Sequence, residues 1–179
     1  MNTNKKLNMT MLCDFYELPM GNGYFKGGYE DRITHVDLFF RSVPDDGGYA
    51  IAAGLEQVIE YIQDLHFDPE DIAYLRGRKI FDVDFLDYLA NFKFTGDIFA
   101  IPEGTPVFPN EPILTVPAPA TQAQLLHTSL LLTINPPSLT ATTANRILPA
   151  ARGRPAPESA SRRPPGSPGA PARRRAPPI

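Results

Sequence analysis

FDVDFLDYLANFKFTGDIFAIPEGTPVFPNEPIL, residues 81–114, changes its hydrophobic period part-way along. In the first half Phe85, Tyr88, Leu89 and Phe92 recur at three- and four-residue spacing, the stripe of an amphipathic helix over Asp82–Phe92. From Gly96 to Val116 the apolar runs become short and β-rich, with Pro and Gly at close intervals. This predicts a small sheet or barrel-like unit with prolines at its edges. One stretch thus specifies a helix followed by strands, and the fold class is α+β.

Upstream, Ile33–Arg41 predicts a strand, with Val36, Leu38 and Phe40 alternating with Asp37 and Phe39. Residues 44–48, PDDGG, read as a turn or loop. Leu55, Val58, Ile59, Ile62 and Leu65 predict a helix over Tyr49–Leu65. Asp68-Pro69-Glu70-Asp71 combines an N-cap, a proline at N1 and acids in the first turn, so another helix starts there. Leu12–Tyr24 predicts a short helix broken by Pro19, Gly21 and Gly23. Downstream, Thr121–Leu132 predicts a helix with Thr121 as its cap, and the helical pattern fails at Pro136-Pro137.

Composition divides the chain in two. Residues 1–145 hold 9 Lys and Arg against 19 Asp and Glu, whereas residues 146–179 hold 8 Arg and one acid, Glu158. All 18 Phe and Tyr lie at or before Phe108, and 17 of the 20 prolines lie beyond residue 100. Residues 1–132 are therefore expected to form one domain, and residues 133–179 to be disordered. The arginine-rich end lacks lysine and aromatic interleaving, so no nucleic-acid function is expected. One cysteine, Cys13, excludes an internal disulfide framework. With no apolar leader and no apolar run of membrane length, a soluble, cytoplasmic chain is expected, with no membrane partner.

Little chemistry follows from spacing alone. His35, His66 and His127 lie in unrelated elements, and no metal site is expected. Cys13 reads as a small packed side chain rather than a nucleophile. Gly21-Asn22-Gly23 and Gly27-Gly28 lack the preceding strand and following helix of a phosphate loop, and read as turns. The acids at 45–46, 68–71 and 82–84 read as caps and solvated faces.

Three long segments add a resemblance. MLCDFYELPMGNGYF, VDLFFRSVPDDGGYAIAAGLEQVIEYI and the stretch at 81–114 resemble, in order, blocks of the nicotinate phosphoribosyltransferases, over about residues 7–132. The family usually has Thr where Pro19 stands. The resemblance implies the N-terminal α+β domain of that fold with only the start of an irregular α/β barrel. It implies formation of nicotinate mononucleotide from nicotinate and phosphoribosyl pyrophosphate in NAD biosynthesis, with ATP hydrolysis, magnesium and a cytosolic homodimer.

Residue by residue, Tyr16 in DFYEL matches the family tyrosine that contacts the nicotinate ring. Arg162 and Arg163 in ESASRR stand where the family has EFGSRR, with an Arg close to the substrate carboxylate and phosphate; Ser159 and Ala160 replace its Phe and Gly. The phosphorylatable histidine belongs to a GTxAHS-type string that is not present here, and His35, His66 and His127 do not inherit its role. No catalytic residue is therefore assigned. From Asn135 the chain still aligns with the family without gaps, but Thr140, Thr143, Pro149, Ala156 and Pro157 stand where it has Ile, Lys, Arg, Val and Leu. Many of these exchanges follow from codon bases becoming cytosine. That is the pattern of sequence error followed by truncation, and a natural variant is the alternative. On this reading the 179-residue chain by itself is an inactive fragment, a folding or pairing module at most.

Overall fold

Helices and short strands follow one another in runs along the chain, as in an α+β fold. The computed structural model describes residues 8–43, 46–152 and 154. The elements are α1 (Glu17–Lys26), β1 (Ile33–Leu38), β2 (Ala50–Ile51), α2 (Leu55–Asp64), α3 (Pro69–Gly77) and α4 (Val83–Ala90), then β3 (Phe99–Ala100), β4 (Pro106–Val107), β5 (Leu114–Pro119), α5 (Ala120–Gln124) and α6 (His127–Ala150). Strands β1, β5 and β3 form one sheet in that order, and β2 pairs with β4 in another.

Contacts divide the chain into two compact units. The first comprises Met1–Val36, Ile59–Ile98 and Val116–Leu130; the second comprises Asp37–Val58, Phe99–Thr115 and Leu131–Ile179. The expected boundary at residue 132 falls close to the last of these divisions, but each unit gathers three separate stretches rather than one continuous half.

The first unit is built around Phe85, which is fully buried with Leu75, Leu86 and Leu89. Phe25, Phe81 and Tyr88 surround its ring, with centroids at 5.8, 6.2 and 6.3 Å. Phe85, Tyr88 and Leu89 come from the predicted stripe at 82–92, and Leu75 from α3, Phe25 from α1 and Phe81 complete the cluster. Helix α3 begins with a reciprocal capping box: the Asp71 carboxylate accepts the Asp68 N–H at 2.9 Å. Asp82, at the N-cap of α4, is held from α1, where Asn22 donates to its carboxylate at 3.0 Å and accepts its N–H at 3.1 Å. Pro19 does not break α1. It lies in the first turn, where a helix needs no N–H donor, and the helix continues through Gly21 and Gly23, which are therefore not turn residues. Gly28, at φ +71°, does occupy a turn after the helix.

In the second unit β2 pairs antiparallel with β4, Ala50 opposite Val107 and Ile51 opposite Pro106. Residues 50–54 were expected to be helical. They are instead extended, and Gly54 at φ +103° separates them from α2. A Cβ on Gly54 would stand 2.7 Å from the Thr133 carbonyl oxygen, so glycine is required both by the dihedral and by the close approach of α6. Among the described residues β2 has β4 as its strand partner and no second strand on its other side. Helix α6 takes its place: Thr142 Oγ1 accepts the Ile51 N–H at 2.8 Å, while Ser138 Oγ accepts the Ala53 N–H at 3.1 Å and donates to the Ala53 carbonyl at 3.0 Å. A helix thus satisfies an edge that would otherwise offer free donors and acceptors.

Two further expectations are corrected. The predicted helix at 121–132 is two helices, α5 and α6, and Thr121 lies inside α5 with a buried hydroxyl that has no hydrogen-bond partner among the described residues, so it is not the cap. The helical pattern does not end at Pro136-Pro137. Helix α6 runs for 24 residues with Pro136, Pro137 and Pro149 inside it, so residues 133–150 are helical rather than disordered. The buried Ile134, Ser138 and Thr142 bracket the first two prolines and hold this segment by packing and by the bonds to β2, which outweigh local propensity.

Candidate functional site

The DFYEL segment, in the first unit, turns the chain into α1. The turn closes with the Glu17 N–H donating to the Asp14 carbonyl at 3.0 Å, and Tyr16 becomes the N-cap residue of the helix. Phe15 and Tyr16 project outward, 55% and 51% exposed. Tyr16 is therefore not a core aromatic; its side chain stands half exposed at the surface.

Glu17, the next residue, is fully buried. Its Oε1 accepts the Thr128 N–H at 2.9 Å and also the Thr128 hydroxyl proton. Thr128 is the second residue of α6, so a side chain of α1 satisfies one of the amides that a helix start leaves open. The other carboxyl oxygen, Oε2, is buried with no hydrogen-bond partner among the described residues. Burial pushes the Glu17 carboxyl above the usual carboxylate range, against the lowering effect of the two bonds from Thr128. A proton on Oε2 leaves Oε1 as the acceptor both bonds require.

The surroundings are polar but not nucleophilic. Ser129 Oγ donates to Tyr61 Oη at 2.9 Å, and burial raises the Tyr61 phenol. Burial, with Glu17 and Asp14 close by, pushes the Cys13 thiol up to about 11, so its reactive thiolate is scarce at neutral pH. His127 lies beside Gln124, with Nδ1 at 3.5 Å from its side-chain nitrogen, while His35 is exposed on β1 and His66 follows α2. Among the described residues, no three His, Cys, Asp or Glu side chains form a group that could hold a metal ion.

Of the three site residues read from the sequence, Tyr16 is placed on this exposed turn, and Arg162 and Arg163 lie outside the described residues. Glu17 and Thr128 were not singled out. Glu17 gave no signal of its own in the sequence: its burial beside Leu18 and Gly21 shows only in the packing of α1. Thr128 carried none, because its partner lies 111 residues away.

Comparison with known proteins matches residues 11–135 to the nicotinate phosphoribosyltransferase (NAPRTase) N-terminal domain. The chain is 40% identical over 156 residues to a nicotinate phosphoribosyltransferase of Mycobacterium tuberculosis, covering 86% of this chain and 33% of that protein. It is 38% identical over 140 residues to the nicotinate phosphoribosyltransferase of Bacillus subtilis, covering 78% and 29%. The crystal structure of human nicotinic acid phosphoribosyltransferase superposes with a TM-score of 0.75 at 31% identity, over 82% of this chain and 30% of that one. The chain therefore spans about a third of the length of these relatives. A family match over most of the described residues, with the same mixed helix-and-sheet architecture, places this chain in the nicotinate phosphoribosyltransferase family, as its N-terminal domain.

Proposed function

We propose that this chain is the first third of a nicotinate phosphoribosyltransferase, a cytosolic homodimer of NAD biosynthesis coupled to ATP hydrolysis. The observation that carries the reading is the family match over residues 11–135. In the reaction the nicotinate ring nitrogen attacks the anomeric carbon of phosphoribosyl pyrophosphate. The bond from that carbon to the pyrophosphate oxygen breaks, and pyrophosphate leaves with the electron pair. Positive charge gathers on the ribose and negative charge on the leaving group, so catalysis calls for fixed polar groups and cations.

On this reading the chain's part is to hold the base. Tyr16 stacks on the nicotinate ring, and Arg162 and Arg163 pair with its carboxylate. Magnesium and ATP belong to the full reaction; among the described residues no three His, Cys, Asp or Glu side chains group to hold a metal ion, and no step is assigned through either. His35, His66 and His127 lie outside any GTxAHS-type string, so the phosphorylated histidine is assigned to the rest of the protein.

The test is the reading frame beyond codon 179 and the protein it encodes. A GTxAHS-type string downstream, with formation of nicotinate mononucleotide from nicotinate, phosphoribosyl pyrophosphate, ATP and magnesium, is the expected result. A whole-length protein that accepts another base and leaves nicotinate untouched would overturn the reading.

A further inference from the structure

We infer that Thr128 and the buried carboxyl of Glu17 are positioning residues for Tyr16, gripping the chain on both sides of Phe15–Tyr16 so that the ring meets nicotinate in one orientation. The inference rests on the reading above, in which Tyr16 contacts the base.

Three bonds carry it. Before the projecting pair, the Asp14 N–H donates to Thr128 Oγ1 at 3.1 Å. After it, Glu17 Oε1 takes both the N–H and the hydroxyl proton of Thr128. The Thr128 hydroxyl thus works in both directions, donating its proton to Glu17 and accepting the Asp14 N–H on a lone pair. A single side chain on α6 fixes the turn at two points only three residues apart. Between them Phe15 and Tyr16 stand half exposed, and α1 starts on Tyr16 with the Met20 N–H donating to the Tyr16 carbonyl at 3.1 Å.

The partnerless Glu17 Oε2 favours this role over a bare helix cap. Capping α6 needs only an exposed Asp, Ser or Thr at its own N-terminus. Burying a carboxyl with one oxygen unsatisfied opposes stability, and such unfavourable arrangements cluster where a site must be held rigid. An aromatic ring that is to stack on a small planar substrate gains from being set beforehand, because ordering it on binding reduces affinity.

The test uses the whole-length enzyme with Thr128→Val, Thr128→Ser, Tyr16→Ala and the double variant Tyr16→Ala/Thr128→Val. Thr128→Val keeps the side-chain volume and the backbone amide but removes the hydroxyl. It is expected to raise KM for nicotinate about five- to tenfold, the scale of one or two net hydrogen bonds, while KM for phosphoribosyl pyrophosphate and kcat stay within about twofold. Thr128→Ser restores the nicotinate KM, and on the Tyr16→Ala background Thr128→Val changes it no further. Hydrogen–deuterium exchange over residues 9–20 accelerates in Thr128→Val and returns to the parent rate in Thr128→Ser. If Tyr16→Ala raises the nicotinate KM while Thr128→Val does not, or if Thr128→Val weakens both substrates equally, positioning is wrong and the role of Tyr16 stands. If Tyr16→Ala leaves the nicotinate KM unchanged, the role of Tyr16 falls and the positioning inference falls with it.

Discussion

Tyr16 and Glu17 are neighbours with opposite fates, one ring in solvent and one carboxyl in the core. Each makes a prediction. Tyr16→Ala in the whole-length enzyme should raise KM for nicotinate about tenfold, the scale of a lost ring stack, and leave KM for phosphoribosyl pyrophosphate nearly unchanged. Steady-state kinetics with each substrate varied in turn decides it; equal losses for both would point to misfolding. Glu17 has its folded-state pKa raised, chiefly by burial. The sign follows from proton linkage. Below the ordinary carboxylate range both folded and unfolded states hold the proton, and the contribution of Glu17 to stability is fully present. As pH rises through that range the unfolded chain releases its proton first, so stability falls until the folded carboxyl ionises too. Glu17→Gln should abolish this decline, giving urea midpoints that differ from the parent most at high pH; parallel curves from about pH 4 to pH 8 would refute it. Residue type is a poor guide at this scale. Glutamate is among the least buried side chains, and only the packing of α1 shows that this one is interior.

Periodicity located most elements and misjudged those that tertiary contacts decide. The alternation at 33–41 is reproduced in β1, whose even-numbered side chains turn inward while Ile33, His35 and Asp37 face out. The capping signals at 68–71 mark the start of α3. Residues 50–54 failed as a helix because a strand partner at 106–107 and a positive φ at Gly54 compete with local preference, and neither is visible in the local pattern. The prolines of α6 are the opposite case. Proline at 136 and 137 cannot donate to the carbonyls four residues earlier, yet Ser138 and Thr142 hold the helix against β2. Pro136→Ala with Pro137→Ala should therefore stabilise the chain, by about 3 kcal/mol or more, since the helix already exists and the two missing bonds become available. Chemical denaturation should show a higher midpoint at unchanged slope. An unmoved midpoint would mean that the helix does not recover those bonds.

At the scale of the whole molecule, the family was legible in three long blocks, whereas the division into two units of interleaved stretches was not, because it depends on contacts far apart in sequence. Arg162 and Arg163 lie outside the described residues, and of the three site residues read from the sequence the structure places Tyr16 alone, exposed at the start of α1. The 179-residue chain by itself should not form nicotinate mononucleotide. On the proposed reading, acceleration needs the ribose and its leaving group held in one geometry, and a misplacement of about 1 Å already costs on the order of a hundredfold. Purified chain incubated with both substrates, ATP and magnesium should give no product, and turnover of roughly 1 per second would contradict this. The aromatic asymmetry of the chain has an optical consequence. There is no tryptophan, and none of the seven tyrosines lies beyond residue 108, so α6 emits no fluorescence of its own. It is nevertheless wired to two tyrosines, Tyr61 through Ser129 in the first unit and Tyr49 through Asn145 in the second. Phe replacements at these two positions would separate their emission, giving each unit its own intrinsic reporter during unfolding. A single shared transition would mean that the units melt as one, and two transitions would mean that the chain comes apart in stages.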